Sequence, residues 1–307
     1  QEAARDLNYI KCSGASSLRG KRRKMIALLV PQFENQFFTR IALAVEQVFD
    51  RHGYILTICN TFDNAARERD ILNRLQQQRV DGYVLTPTRD GAANTAQLRK
   101  MGVPLVMVDR PLEGVDDFFW VTTSNYRCGY IATEHLIRKG HTRIAFVGWD
   151  SHIADLMERE KAFLEAGRAF GLDGSSLVTL DGGITEDEGY RLTGELLEHH
   201  PETTAILYAY NLQAKGGIRC LMDRGVAIPE SKSVVLIGSP EWACAGRNRF
   251  THVDQGDYEL GRQAAEGLLE VINGDGTVPV RRIIQECTLV EGDTVYAIGD
   301  KGRFHDF

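Results

Sequence analysis

From Met25 onward, short β-branched or aromatic runs alternate with longer amphipathic ones, and each junction carries Gly, Pro, Asn or Asp. No other feature restricts the fold as strongly. The pattern predicts strands at 25–30, 54–59, 82–86, 104–108, 118–122, 143–148, 176–180, 204–208, 233–238, 250–254 and 284–289. Helices are predicted near 37–52, 65–78, 92–101, 126–139, 155–171, 186–199, 212–224 and 257–273. Such alternation requires right-handed crossovers and gives parallel sheets covered by helices on both faces, so the fold class is α/β. The alternation runs to about Thr122 and restarts before Arg143-Ile144-Ala145-Phe146-Val147-Gly148, which predicts two successive doubly wound parallel-sheet subdomains. Ligands of open α/β sheets bind beyond the carboxyl ends of the strands, so two facing subdomains enclose a ligand cleft between them.

A chain of 307 residues exceeds the usual single-core limit, in keeping with two lobes. No apolar run approaches the length needed to cross a bilayer, and no signal peptide is visible, so no membrane partner is expected. The net charge of −6 conceals an asymmetry: residues 1–24 carry a balance of +5 and the remainder −11. A cationic arm on an acidic body suits docking to a polyanion through one end only. Cys12, Cys59, Cys128, Cys220, Cys244 and Cys287 are scattered without C-x-x-C spacing, which argues for reduced thiols and a cytoplasmic location rather than for a disulfide framework or a metal site.

Residues 13–19 can form about two helical turns, with Ser13 as N-cap and Ala15, Leu18 and Arg19 within helical reach. So short a helix is unstable alone in water. Folding on DNA would supply the missing contacts, with Leu18 as an apolar wedge in the minor groove and Arg19, Lys21, Arg22, Arg23 and Lys24 on phosphates. A solvated charged linker is the competing reading of the same residues.

Phrases spread over the whole chain resemble the lac repressor (LacI/GalR) family. Tyr9, the helix with Ala15, Ser16, Leu18 and Arg19, and Ile26-Ala27-Leu28-Leu29-Val30-Pro31 resemble its hinge and first core strand. Asn35-Gln36-Phe37-Phe38 resembles N-P-F-F, and Val80-Asp81-Gly82-Tyr83-Val84-Leu85 resembles V-D-G-I-I. Ala132-Thr133-Glu134-His135-Leu136-Ile137, then Gly140-His141 and Ile144-Ala145, is similar to A-T-E-H-L-I…G-H…I-A. The resemblance implies a homodimeric regulator, most often a repressor, with a periplasmic-binding-protein-like (type I) core, a small-molecule effector such as a sugar or sugar acid, and a DNA operator as partner. It implies no cofactor. Residues 1–24 would be the tail of a helix-turn-helix domain, at 1–9, plus hinge helix and basic linker. Residues 25–123 with about 255–283 would form the N-terminal subdomain, and 124–254 with about 284–307 the C-terminal one. Effector binding would favour one closure state of the lobes and so change the separation of two hinges.

Candidate effector residues follow from strand ends together with the resemblance. Phe37 and Phe38 can floor a ligand ring, or simply pack in the core. Asp155 and Arg159 lie one helical turn apart, and Arg159 occupies the family's effector-binding arginine position. Its guanidinium offers paired donors to a hydroxyl pair, carboxylate or phosphate, although an ion pair with Asp155 is the plainer alternative. Tyr210 and Asn211 stand where the family usually shows Asn-Asp, and Gly238-Ser239-Pro240-Glu241 where it has G-F-D-D. Pro240 and Ser124 thus replace aspartates of the family pattern, while Trp149, Tyr210 and Trp242 add rings. Fewer carboxylates and more rings point to a ligand that is partly apolar or acidic, with Arg159 as the counter-charge; the alternative is that Glu241 and Asp155 restore the missing acceptors. Gln255 matches a position that closes the pocket by hydrogen bonding.

A transport-type solute-binding protein is the alternative function, and the hinge-like basic segment argues against it. Among enzyme signatures, G-x-S-x-G, H-E-x-x-H and the G-x-x-x-x-G-K-[ST] phosphate loop are all absent, so no catalytic activity is expected.

Overall fold

A computed structural model describes residues 22–299, apart from 113, 116, 150–153, 245–248 and 275–276 and the side chains of 154–156. The expected helix-turn-helix tail and the hinge residues Ala15, Ser16, Leu18 and Arg19 lie outside the described residues, as does the side chain of Asp155.

The first lobe is built on β1 (Met25–Val30), β2 (Ile55–Asn60), β3 (Gly82–Leu85), β4 (Leu105–Val108) and β5 (Phe119–Thr123), with a late strand β11 (Arg281–Gln285) at the far edge. Its order is β11-β5-β4-β3-β1-β2, and every pairing is parallel. Helices α1 (Gln36–Asp50) and α8 (Asp257–Asn273) pack together on one face, and α2 (Ala65–Gln77) and α3 (Ala92–Lys100) on the other. The second lobe repeats the scheme with β6 (Ile144–Trp149), β7 (Leu177–Gly182), β8 (Ala205–Tyr208), β9 (Ser233–Ile237), β10 (Thr251–Asp254) and β12 (Thr288–Val290). Its order is β12-β10-β9-β8-β6-β7, with α4 (Asn125–Arg138) and α5 (Ala154–Ala169) on one face and α6 (Glu186–His199) and α7 (Asn211–Asp223) on the other.

The continuous apolar strands are explained by burial on both faces. Ile26, Leu28 and Val30 enter the α1/α8 core while Ala27 and Leu29 enter the α2/α3 core. In β6, Ile144 and Phe146 face α4/α5 and Ala145 and Val147 face α6/α7. Alternation of side chains across the pleat therefore makes each central strand shared property of two cores. Burial of an aliphatic or aromatic side chain of this size stabilises by about 1.5–3 kcal/mol.

The strand expected at 284–289 is divided in the structure. Arg281–Gln285 completes the first sheet, Glu286 and Cys287 cross between lobes, and Thr288–Val290 runs antiparallel to β10 in the second sheet. The mixed run Ile284-Gln285-Glu286-Cys287-Thr288-Leu289 hid the break because both halves are short edge strands, largely exposed, with no periodicity to separate them. Three crossings join the lobes: β5 into α4, β10 into α8, and β11 into β12. Thr123 Oγ1 donates to the Gln255 carbonyl at 3.0 Å, tying the first crossing to the second. Gly256 in the second crossing has a φ of +68°, and a Cβ there would sit 2.9 Å from the Gln285 side chain of the third.

Part of the basic cluster is spent on the first lobe. Arg22 donates to Asn273 Oδ1 and the Ile272 carbonyl at the carboxyl end of α8, where a cation suits the helix dipole. Lys24 lies over the Tyr54 ring at 4.0 Å. These two side chains are engaged by protein groups rather than held out for phosphate.

Candidate functional site

Between the lobes, at the carboxyl ends of both sheets, lies a cavity of about 280 Å³. Its wall contains Phe37, Phe38, Arg159, Tyr210, Asn211 and Gln255, six of the eight residues singled out from the sequence. Phe37 and Phe38 begin α1, whose N-cap Asn35 accepts the Phe37 N–H at 3.0 Å. Their rings meet edge to face at 5.2 Å, both belong to the α1/α8 core, and both line the cavity, so core packing and ligand-facing roles coincide.

Arg159 is held rather than free. Nε donates to Asn125 Oδ1 at 2.8 Å, a nitrogen of its fork donates to the Ala209 carbonyl, and the guanidinium lies over the Tyr210 ring at 5.0 Å. The Tyr210 ring meets Trp149 edge to face at 5.8 Å, and Arg89 from the first lobe covers Trp149 at 4.4 Å. A row of cation, ring, ring and cation therefore runs from one lobe to the other. Among the described residues, no carboxylate stands within ion-pair distance of Arg159. The close approach of α5 beneath it depends on Gly129, where a Cβ would lie 2.4 Å from the Arg159 carbonyl.

The first lobe contributes residues that the sequence reading did not single out: Asn35, Phe62, Asp63, Arg89, Asp109 and Arg110. Asp63 receives Arg110 at 2.8 Å and Arg89 Nε at 2.8 Å. Burial would raise its carboxyl, but the Arg110 and Arg89 guanidinium groups outweigh that and hold it below the ordinary carboxylate range. The loop bearing Arg89 is anchored from below by Glu68, fully buried, which accepts from the Thr88 N–H and from Asn94 Nδ2, each at 2.8 Å. Burial raises the Glu68 carboxyl above its usual range despite those bonds. The missed residues each follow the end of β1, β2, β3 or β4, the strand-end rule that pointed to Tyr210 and Asn211 in the second lobe.

Several buried polar atoms of the wall have no protein partner: Arg110 Nε, Tyr210 Oη and Asn211 Oδ1. Burial, the dominant influence on Tyr210, pushes its phenol up to about 12, so the hydroxyl stays protonated and can donate. The wall therefore offers unmatched donors and an unmatched acceptor between aromatic faces, a combination suited to a small ligand rich in hydroxyls or bearing an acid group.

Glu241 departs from expectation. It is exposed and does not line the cavity; its backbone N–H instead donates to Gln36 Oε1 at 2.7 Å. The short 3-10 turn Glu241–Cys244 begins there, and the residue serves the contact between lobes through its main chain. Among the described residues no group of three or more His, Cys, Asp or Glu could hold a metal ion, and no helix is long and apolar enough to cross a membrane.

Comparison with known proteins bears on this arrangement. The ribose operon repressor of Halalkalibacterium halodurans is 28% identical over 293 residues, covering 94% of this chain and 86% of the relative. The transcriptional repressor PurR of Glaesserella parasuis is 28% identical over 279 residues, covering 91% and 82%. Among solved structures, the regulator CelR in complex with cellobiose superposes with a TM-score of 0.78 at 26% identity, covering 95% of this chain and 88% of that one. A ribose-bound LacI family regulator from Enterococcus faecium shares the fold at a TM-score of 0.80 and 24% identity, covering 89% and 99%. Residues 23–292 match the family described as periplasmic binding proteins and sugar binding domain of LacI family. That match spans nearly all the described chain and agrees with a regulatory rather than enzymatic body: the protein belongs to the LacI family, as the effector-binding part of a transcriptional regulator.

Proposed function

We propose that the interlobe cavity binds a sugar or sugar acid of monosaccharide size, and that its occupancy sets the closure of the lobes and thereby operator affinity. The observation that carries this reading is the cavity wall itself, where Arg110 Nε, Tyr210 Oη and Asn211 Oδ1 are buried without partners beside Arg159. Leaving such atoms unmatched costs about 1–3 kcal/mol each, so a hydroxyl-rich or acidic ligand whose binding shifts the wall enough to reach them recovers that energy. A volume of about 280 Å³ falls at the small end of ligand pockets. The ribose and cellobiose named with two of the relatives are in keeping with a carbohydrate.

Arg159 is the counter-charge or bidentate donor in this reading, Phe37, Phe38, Trp149 and Tyr210 supply ring faces, and Gln255 closes the wall beside the second crossing. Arg89 and Arg110 extend the donor set from the first lobe. Residues 25–123 with α8 and β11 then move against the second lobe about the three crossings. A ligand shifts that equilibrium only by its differential affinity for the two closure states. The hinge at 13–19 and a second copy of the chain complete the operator-binding form.

A thermal-shift screen against neutral sugars, sugar acids, sugar phosphates, purines and aromatic acids tests the proposal. A ligand at 100 times its dissociation constant adds about 2.7 kcal/mol, which moves the melting temperature by several degrees. A shift with sugars or sugar acids that is lost in the Arg159→Ala variant supports the reading. A shift with purines or aromatic acids alone overturns the carbohydrate assignment.

A further inference from the structure

Guanidinium groups converge on one tyrosine from both sides of the cleft. Arg159 belongs to the second lobe and Arg89 and Arg110 to the first; all line the cavity, and each acts on the Tyr210 phenol. Their bonds to protein use only part of each fork. Arg159 donates through Nε and Nη1, Arg89 through Nε, and Arg110 through Nη1. The second terminal nitrogen of Arg159 and both terminal nitrogens of Arg89 have no hydrogen-bond acceptor among the described residues.

A buried charge is normally matched by a counter-charge. Arg159 is 5% exposed and has no carboxylate within ion-pair distance among the described residues. The acids of the wall are committed elsewhere or outnumbered. Asp63 is shared between Arg89 and Arg110 on the first lobe, and Glu34 is exposed. Asp109 acts on the same phenol as the arginines, one carboxylate facing three guanidinium groups. Closure of the lobes carries Arg159 toward Arg89 and Arg110, so like charges oppose it. The Trp149 and Tyr210 rings between them attract each cation without cancelling its charge.

Resting on the carbohydrate reading above, we propose that the occupant is a sugar acid whose carboxylate lies beside Tyr210, between Arg159 of one lobe and Arg89 and Arg110 of the other, and that this anion is the signal for closure. A carboxylate accepts parallel bonds from a guanidinium fork, and a hydrogen bond between ions is roughly twice as strong as a neutral one. A neutral sugar of the same skeleton meets the same ring faces but leaves the cations facing one another. The acid therefore has the differential affinity for the closed state that a closure signal requires. Arg89 sets the selectivity. Its Nε is fixed by Asp63 while its guanidinium lies over Trp149 of the second lobe at 4.4 Å, so its charge stands across the cleft.

The experiment titrates the protein calorimetrically with pairs that differ by a carboxylate: ribonate and ribitol, gluconate and glucitol, galactonate and galactitol, glucuronate and glucose, galacturonate and galactose. In at least one pair the acid is expected to bind about tenfold tighter or more, with an affinity that falls as salt rises. Small-angle scattering at saturation should show contraction with that acid and none with its neutral partner. Arg89→Gln, at a side chain 41% exposed where folding is not at stake, should lower the acid's advantage by about tenfold and flatten the salt dependence. An undiminished advantage in that variant would remove Arg89 from the selectivity. A neutral member that binds as tightly as its acid overturns the acid assignment and leaves the carbohydrate reading standing, whereas binding by no member overturns both. Equal contraction with both members of a pair overturns the anion as closure signal. An acid preference seen only in Asp155→Asn would place the counter-charge of Arg159 within the chain and overturn the assignment.

Discussion

Asn211 Nδ2 donates to Asn35 Oδ1 at 3.0 Å, so the first residue of α7 in the second lobe grips the N-cap of α1 in the first. The same Asn35 oxygen accepts the Phe37 N–H, which places one side chain at the service of helix, cavity and closure together. Asn35→Ala removes an N-cap, at a cost of about 1 kcal/mol, and also the bond between lobes. The variant is expected to melt a few degrees lower and to bind the effector more weakly. Asn35→Asp keeps both acceptors and should restore both properties in thermal unfolding and calorimetric titration; equal loss in the two variants would remove the closure role.

Arg159→Ala takes away a donor held by Asn125 and the Ala209 carbonyl and stacked on Tyr210. Hydrogen bonds to charged groups contribute about 1.5–3 kcal/mol, so effector affinity should fall by roughly tenfold to a hundredfold. Far-UV circular dichroism should stay unchanged, since the residue lies at the cavity and not among the strand cores. Arg159→Lys keeps the charge but not the planar fork and should recover only part of the affinity.

Gly129→Ala places a methyl group 2.4 Å from the Arg159 carbonyl, backbone that cannot turn aside. Separation of α4 from α5 follows, at about 1–3 kcal/mol for overpacking. Thermal unfolding should show the loss, and effector affinity should fall with it because α5 carries Arg159. An unchanged melting temperature would mean that the two helices tolerate a wider spacing.

His141 is fully buried, with Nε2 3.2 Å from the Tyr296 carbonyl and Nδ1 2.8 Å from Thr204 Oγ1. Burial lowers its pKa from 6.5 to about 4. Above pH 6.5 the ring is neutral in both folded and unfolded chains, and its contribution is complete. Between those two values the unfolded chain binds the additional proton, so stability declines as pH falls, by at most about 1.4 kcal/mol per pH unit for one such group. His135, lowered chiefly by burial, acts in the same direction. Melting temperatures measured from pH 7 down to 4 should show this slope, and His141→Gln should flatten it.

Leu18→Ala, in a protein carrying its DNA-reading module, should weaken operator binding much more than effector binding. An apolar wedge acts only when the hinge is folded on DNA. Operator affinity equal to wild type in a salt-matched titration would count against the wedge.

Much of this architecture is legible in the chain because it rests on local periodicity. The apolar runs at 25–30, 82–86, 104–108 and 143–148 mark strands that are buried on both faces, and such strands have no polar alternative. Phe37, Phe38, Arg159, Tyr210, Asn211 and Gln255 were readable as strand-end or helix-start residues, and the resemblance carried by N-Q-F-F and A-T-E-H-L-I sharpened the choice.

Other features depend on distances that no local pattern encodes. Asp63, Arg89 and Arg110 come from three separate loops, and only the parallel order of β2, β3 and β4 lets them form one charge cluster. Glu241 resembled a pocket carboxylate by sequence position, yet its turn presents main chain to Gln36. The break between Gln285 and Thr288 was hidden because β11 and β12 are exposed edge strands whose partners lie in different sheets. Local periodicity thus determined most of the elements and the class from sequence alone, and strand ends with the resemblance picked out cavity residues on both lobes. Tertiary structure decided which charges meet and which strand crosses, because those contacts join residues far apart in the chain whose energies exist only once the lobes have packed.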